Sequence, residues 1–315
     1  MLSTLEILLP VFGLIFAGFV CRKRGLLGPT AASELNRFVV WLALPALLFD
    51  TMAHATWHQL YQPAFVATFA LACAGVFVLI LGASLLSGRP LADASVDAIA
   101  GAYPNTGYIG FPLCLIAFGA VSLTPTTIAT ILVACVLFAI AIVLIEVGLQ
   151  TERAPHRLAL KVVGALARNP LIVSPIVGVL VAGVHVTLPP SAETFLKLLS
   201  GAASPCALVS LGLFLAEKRP ASAAAKPGAA LLLTGAKLLL QPALTWWLAA
   251  RVFGLSPMLV EMAVVLAALP TGTGPFMLAE FYRREAHITS RTILLSTLGS
   301  LVTLSLLLMV MRQGG

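Results

Sequence analysis

Two short stretches hold the polar residues whose types and spacing are suited to chemistry. Asn105 and Thr106 stand between Pro104 and Gly107, and Thr271 and Thr273 stand among Pro270, Gly272, Gly274 and Pro275. An amide and three hydroxyls supply donors and acceptors that could hold a carboxylate, and their oxygens equally suit a bound cation. The same groups could instead do no more than satisfy backbone carbonyls that the neighbouring prolines release. Charged residues set into apolar sequence extend the candidate set. Lys237 suits direct contact with an anion or the balancing of charge, and Asp50 and Glu261 suit a bound cation or proton. Both carboxylates also fit an interfacial position, and Arg37, Glu146 and Glu280 fall where headgroups or loops would receive them. His54, His58 and His185 have no cysteine or glutamate near them on a common helix face, so their spacing gives little support for a metal site and none is expected. The chain lacks G-x-S-x-G, H-E-x-x-H and P-loop patterns, which argues against an enzyme or an ATP-driven pump. No cofactor is implied, and a coupling sodium ion or proton is the small partner these residues leave open.

The elements that must position these residues are membrane helices. Hydrophobic residues make up 60% of the 315, charged residues 10%, and the mean hydropathy is +1.03, values that a soluble domain of this length would not tolerate. Since about 20 apolar residues cross a bilayer, the chain divides into ten spans: 4–21, 35–53, 63–87, 95–119, 125–149, 170–188, 194–216, 228–253, 257–282 and 288–311. A charge at the bilayer centre costs at least about 2.5–3.5 kcal/mol. Lys237 lies about nine residues into its span, roughly 14 Å from the span's end at 1.5 Å per residue, so it is the deepest of them. Its length would still let it snorkel toward the surface.

Charge sets the orientation. Fourteen Lys and Arg residues fall in loops on one side and three, Lys197, Arg251 and Arg312, on the other. The positive-inside rule makes the basic loops cytoplasmic and puts both termini outside. The positive net charge is therefore topology, and no nucleic-acid partner is implied. The first apolar run has no basic segment before it and carries Arg22, Lys23 and Arg24 after it, so it reads as a retained helix rather than a signal peptide. Cys21, Cys73, Cys114, Cys135 and Cys206 form no CxxC pair and are expected to be free thiols.

Spans 4 and 9 contain the two polar stretches, and the prolines and glycines there should unwind the helix at membrane depth. Such a break is tolerable only against protein or a water-filled cavity. The landmarks recur: Pro10, Gly13 and Gly18 match Pro175, Gly178 and Gly183 at an offset of 165, Pro45 matches Pro205 at 160, and Pro104 matches Pro270 at 166. A repeat of five spans enters the membrane the second time from the opposite side, so the halves form an inverted repeat. Residues 1–149 are the first five-helix repeat, 150–169 a cytoplasmic linker with a short amphipathic helix, and 170–315 the second repeat. The Pro-, Ala- and Lys-rich loop 217–228 reads as a connector. Paired breaks of this kind, with half-helix N-termini facing one another near the midplane, suit an anion site in a secondary transporter.

With both breaks in view, the chain resembles the auxin efflux carrier family, which includes the plant auxin exporters and bacterial carriers described for malonate and other organic anions. PNTGYIGFPL at 104–113 and ALPTGTGPFMLAEFY at 268–282 are similar to the family's two crossovers, and KLLLQP at 237–242 to its basic residue and proline in that span. The resemblance covers the whole chain. It implies an all-α membrane fold of ten helices with crossing helices 4 and 9, in which helices 1, 2, 6 and 7 form a scaffold and helices 3–5 and 8–10 a moving transport domain. It further implies elevator-like alternating access, a homodimer through the scaffold, relatedness in fold to sodium/bile acid symporters, and a bacterial cytoplasmic membrane with periplasmic termini. The long central loop of the plant exporters is absent, and Thr271 stands where they tend to have glutamine. The expectation is a carrier of malonate or a similar carboxylate. A carrier of auxin-like aromatic or neutral solutes, with Tyr103, Tyr108 and Phe276 along the cavity, and a non-transporting sensor are the alternatives.

Overall fold

In hydrocarbon a chain must satisfy its own N–H and C=O groups, and the apolar runs do so as helices. The computed structural model describes residues 2–54, 61–150, 155–184, 188–216, 228–284 and 286–314, which are helical nearly throughout and contain no strand. In chain order the helices are α1 (Leu2–Lys23), α2 (Ala31–Ala53), α3 (Pro63–Leu86), α4 (Leu91–Ala102), α5 (Phe111–Phe118), α6 (Ala120–Leu149) and α7 (Pro155–Arg168). There follow α8 (Pro170–Gly183), α9 (Pro190–Ala216), α10 (Ala229–Val252), α11 (Pro257–Ala268), α12 (Gly274–Phe281) and α13 (Ala286–Gly314). Six of these, α2, α3, α6, α9, α10 and α13, are long and apolar enough to cross a bilayer, and α8 and α11 are shorter apolar helices. The connector at 217–227, His58 and His185 lie outside the described residues.

Proline explains where the helices widen. Pro45 and Pro242 each follow a π-helical turn, Val39–Ala43 and Ala236–Leu240. A wider turn absorbs both the missing donor and the clash with the carbonyl four residues back. Where prolines and glycines cluster, the helix stops. The expected span at 95–119 divides into α4 and α5, separated by extended residues and the π turn Thr106–Gly110, and that at 257–282 divides into α11 and α12 around 269–273.

Between lipid-facing helices no hydrophobic drive operates, so close packing relies on small residues. Helix α1 packs on α9, and α8 packs on α2. At the first contact Gly18 sits against the backbone of Val209 and Leu213, and Gly212 against that of Ile15 and Phe19; at the second, Gly178 sits against the Phe49 carbonyl, where a Cβ would come within 2.6 Å. In the other group α3 packs on α4 and α10 on α11, while each half-helix after a break reaches the other repeat: α5 packs on α11 and α12 on α4.

Polar contacts tie the basic-loop ends together. Arg89 Nε lies 2.9 Å from Asp97 Oδ2, and Arg284 Nη1 lies 3.4 Å from Asp93 Oδ1. The Tyr282 hydroxyl donates to Glu146 Oε1 at 2.7 Å and accepts from Asn169 Nδ2 at 3.3 Å, while Asn169 Oδ1 caps α8 through the Leu171 N–H.

Candidate binding site at the paired breaks

The two breaks meet. Pro104 and Thr271 form an antiparallel bridge, in which the Asn105 N–H donates to the Pro270 carbonyl at 2.9 Å and the Gly272 N–H to the Tyr103 carbonyl at 3.0 Å. Neither proline is asked for a donor here. Pro104 occupies the non-hydrogen-bonded position of the bridge, and Pro270 contributes only its carbonyl. Two further donors are matched: the Thr106 N–H reaches the Pro104 carbonyl at 2.8 Å, and the Thr271 N–H reaches Ser296 Oγ at 3.1 Å. Glycine is needed at 272 and 274 because the Tyr103 ring lies where a Cβ would project, about 2.8 Å from it at Gly272 and 3.0 Å at Gly274. Gly107, by contrast, has nothing closer than Thr130 Cγ2 at 3.9 Å. Pro275 stands in the first turn of α12, where its missing N–H costs nothing.

A cavity of about 40 Å³ opens on one side of the bridge. Its wall combines residues 103–107 from the first break, Thr273, Gly274 and Met277 from the second, and Thr130 and Ala134 from α6. Facing them are Val39, Leu44 and Leu47 of α2 and Ala203 and Ala207 of α9. The volume holds a few water molecules and is far below the roughly 300 Å³ at which ligand pockets begin.

The polar residues named from sequence fall into two groups. Asn105, 6% exposed, and Thr106 and Thr273 line the cavity, and their side chains make no hydrogen bond among the described residues. Thr271 is turned away from it: its hydroxyl donates to the Ala100 carbonyl at 2.9 Å and so occupies one of the carbonyls at the end of α4. Lys237, with no exposed surface, also lies behind the bridge, where Nζ donates to the Ala267 carbonyl at 2.5 Å. Asp50 and Glu261 are apart from both groups. Asp50 Oδ1 is 3.1 Å from His54 Nδ1 near the end of α2, and Glu261 lines a separate groove beside α11.

Gln241 was not among the residues singled out in the sequence, yet it completes the arrangement. One turn beyond Lys237 on α10, its Nε2 donates to the Ala102 carbonyl at 3.2 Å and to Cys73 Sγ at 3.2 Å. Lys237 and Gln241 thus hold the C-terminal carbonyls of α11 and α4, the two half-helices that end at the breaks, where partial negative charge collects. An amide buried in an apolar helix has to find such a partner, and the Gln at four residues after a Lys was the available signal. Asp97 was likewise overlooked; its pairing with Arg89 anchors the far end of α4. The arrangement offers a polar surface made by two backbones and three free side chains, with donor-bearing α10 behind it and apolar α2 and α9 in front.

Comparison with known proteins adds the lineage. Residues 3–308 match the family model described as membrane transport protein. A protein of Rhizobium meliloti (strain 1021) named "Putative malonate transporter" is 32% identical over 309 residues, covering 98% of this chain and 96% of the relative. "Uncharacterized transporter YfdV" of Escherichia coli (strain K12) is 24% identical over 315 residues, 97% of this chain and 96% of the relative. "Auxin efflux carrier component 3a" of Oryza sativa subsp. japonica is 34% identical over 137 residues, 42% of this chain and 22% of the relative.

Proposed function

Because the chain belongs to the membrane transport protein family, which includes the auxin efflux carriers, we propose that it is a secondary carrier of a small organic anion, malonate or a similar carboxylate, working by alternating access. The observation that carries this reading is the set of open polar side chains, Asn105, Thr106 and Thr273, at the meeting of the two breaks. A carboxylate there would accept from the Asn105 amide and the two hydroxyls. Lys237, one layer behind, supplies positive charge without touching the anion.

The fold is read as a 5+5 inverted repeat of ten membrane helices with crossing helices 4 and 9. Supporting this are the equivalent packings of α1 on α9 and α8 on α2, and of α5 on α11 and α12 on α4. Helices 1, 2, 6 and 7 (α1, α2, α8 and α9) form the scaffold, and the bridge-bearing helices move against it. The 40 Å³ cavity lies on that boundary, so a carboxylate enters only when α2 and α9 draw back. The chain works in a bacterial cytoplasmic membrane with periplasmic termini, as a homodimer through the scaffold, with sodium or proton coupling through Asp50, Glu261 or the threonines where coupling exists.

Proteoliposomes offered a panel of labelled carboxylates test the reading. Saturable uptake of malonate or a close analogue is expected, with Asn105→Ala removing it while the protein stays folded. Unchanged uptake by Asn105→Ala would take that residue out of the site, and absence of saturable uptake of any carboxylate would remove the anion reading. Tyr103 in the cavity wall favours the second reading, an aromatic solute; competition by aromatic acids without competition by malonate would support it. Phe276 contributes less to that reading, because it is buried against Phe214 with ring centroids 5.0 Å apart.

A further inference from the structure

A groove of about 650 Å³ lies on the periphery of the helix bundle, far larger than the cavity at the breaks. It runs between the end of α10, the start of α11 and the end of α13, so one mouth faces the ends of three helices. Trp246, Leu255, Val264, Leu307 and Val310 make its wall apolar, and Glu261 is the charged residue in it. Trp246 and Val310 are broadly exposed at its open side, with Leu307 half-buried between them and the core, and in a bilayer hydrocarbon rather than water would meet them. An acyl chain matches such a wall.

Two charges make the groove more than a gap that any lipid tail fills. The Glu261 carboxylate has no hydrogen bond or ion pair among the described residues. Glu261 stands in the second turn of α11, half-buried among apolar walls, so a ligand that brings a cationic group can give this carboxylate the counter-charge that no described side chain supplies. At the rim, the Arg251 guanidinium lies over the Trp246 ring at 5.8 Å from its centroid, and Trp246 itself lines the groove. The stack holds the cation beside the opening, and guanidinium is suited to phosphate. A cation at the rim, a carboxylate inside and an apolar wall beyond are complementary to a zwitterionic lipid.

We propose that this groove binds a phospholipid bearing a primary ammonium headgroup, phosphatidylethanolamine, with its ammonium on Glu261, its phosphate toward Arg251 and one acyl chain against Trp246, Leu307 and Val310. A primary ammonium donates hydrogen bonds to the carboxylate, and the choline headgroup of phosphatidylcholine has no N–H with which to do so. The site lies apart from the bridge between the breaks and is independent of which solute the carrier moves.

The test is native mass spectrometry of the full-length protein, delipidated in detergent and titrated with phosphatidylethanolamine or phosphatidylcholine of identical acyl chains. Wild type should retain phosphatidylethanolamine about tenfold better, the ratio that about 1.4 kcal/mol of charge-assisted hydrogen bonding gives. Glu261→Gln should bring the two lipids level, Arg251→Ala should weaken both, and Val310→Trp, which fills the open side without touching either charge, should displace both. Equal retention of the two lipids by wild type, or an undiminished preference in Glu261→Gln, overturns the proposal. Monodisperse elution and an unchanged melting temperature in lipid-free detergent show that a variant is folded, and Val310→Trp tests the groove even where Glu261→Gln does not fold.

Discussion

Lys237 is fully buried and gives its side-chain nitrogen one partner among the described residues, the Ala267 carbonyl at the end of a half-helix. The energetic argument runs through what is left when it is removed. Lys237→Met would orphan a buried carbonyl where helix partial charge collects, at a cost of about 1.5–3 kcal/mol for a hydrogen bond to a charged group, and thermal unfolding in detergent should report a lowered midpoint. Lys237→Gln keeps a donor and removes the charge. It should retain most of the stability while losing anion uptake, if the role of Lys237 is to balance the substrate's charge; equal uptake by Lys237→Gln and wild type would leave only the structural role. The burial of Lys237 was legible from its position in an apolar run, but its direction was not, because sequence spacing does not say which neighbouring helix end an i+4 pair will meet. The same ignorance hid Gln241, and it grouped Thr271 with Asn105 although the two side chains serve opposite sides of the bridge.

Pairs of helices explain why some of the repeated glycines matter and others do not. Gly13 and Gly178 occupy matched positions in the sequence, as do Gly18 and Gly183, yet only Gly18 and Gly178 are pressed against another backbone. Gly212, which the repeat did not single out, has the Ile15 carbonyl where a Cβ would stand. A methyl group there must push α1 away from α9, since a backbone carbonyl cannot swing aside. Gly212→Ala should therefore destabilise the protein by about 1–3 kcal/mol, the usual cost of overpacking, while Gly13→Ala, with nothing within 4 Å, should be neutral. The rate at which a thiol-reactive dye reaches the buried Cys73 and Cys114 on heating measures both, and similar rates for the two variants would refute the close-contact argument. Helix locations and breaks were readable because hydropathy and proline act locally. Contacts between helices depend on the faces that meet, and a repeat in sequence gives no face.

At the scale of the whole molecule, the proposed motion makes a demand on contacts that cross the boundary between the two helix groups. Tyr282 follows α12 and Glu146 lies in α6, both on the bridge-bearing side, whereas Asn169 caps α8 on the other; the Tyr282 hydroxyl joins all three. Trp41 of α2 and Phe281 of α12 touch across the same boundary, with ring centroids 6.3 Å apart. These contacts sit at the end of the molecule that carries Arg283 and Arg284, so the proposed alternating access would have to break them whenever the cavity opens to that end. Tyr282→Phe removes the hydroxyl and keeps the ring packing. With about 1 kcal/mol of hydrogen bonding lost from the closed arrangement, the population open on that side should rise about fivefold. A cysteine substituted at Ala203 in the cavity wall, in a background without the five native cysteines, reports the change through its alkylation rate by an impermeant reagent in inside-out vesicles. A faster rate in Tyr282→Phe is the expected outcome. An unchanged rate would mean that the two groups move as one body at this end, and alternating access would then need a different boundary.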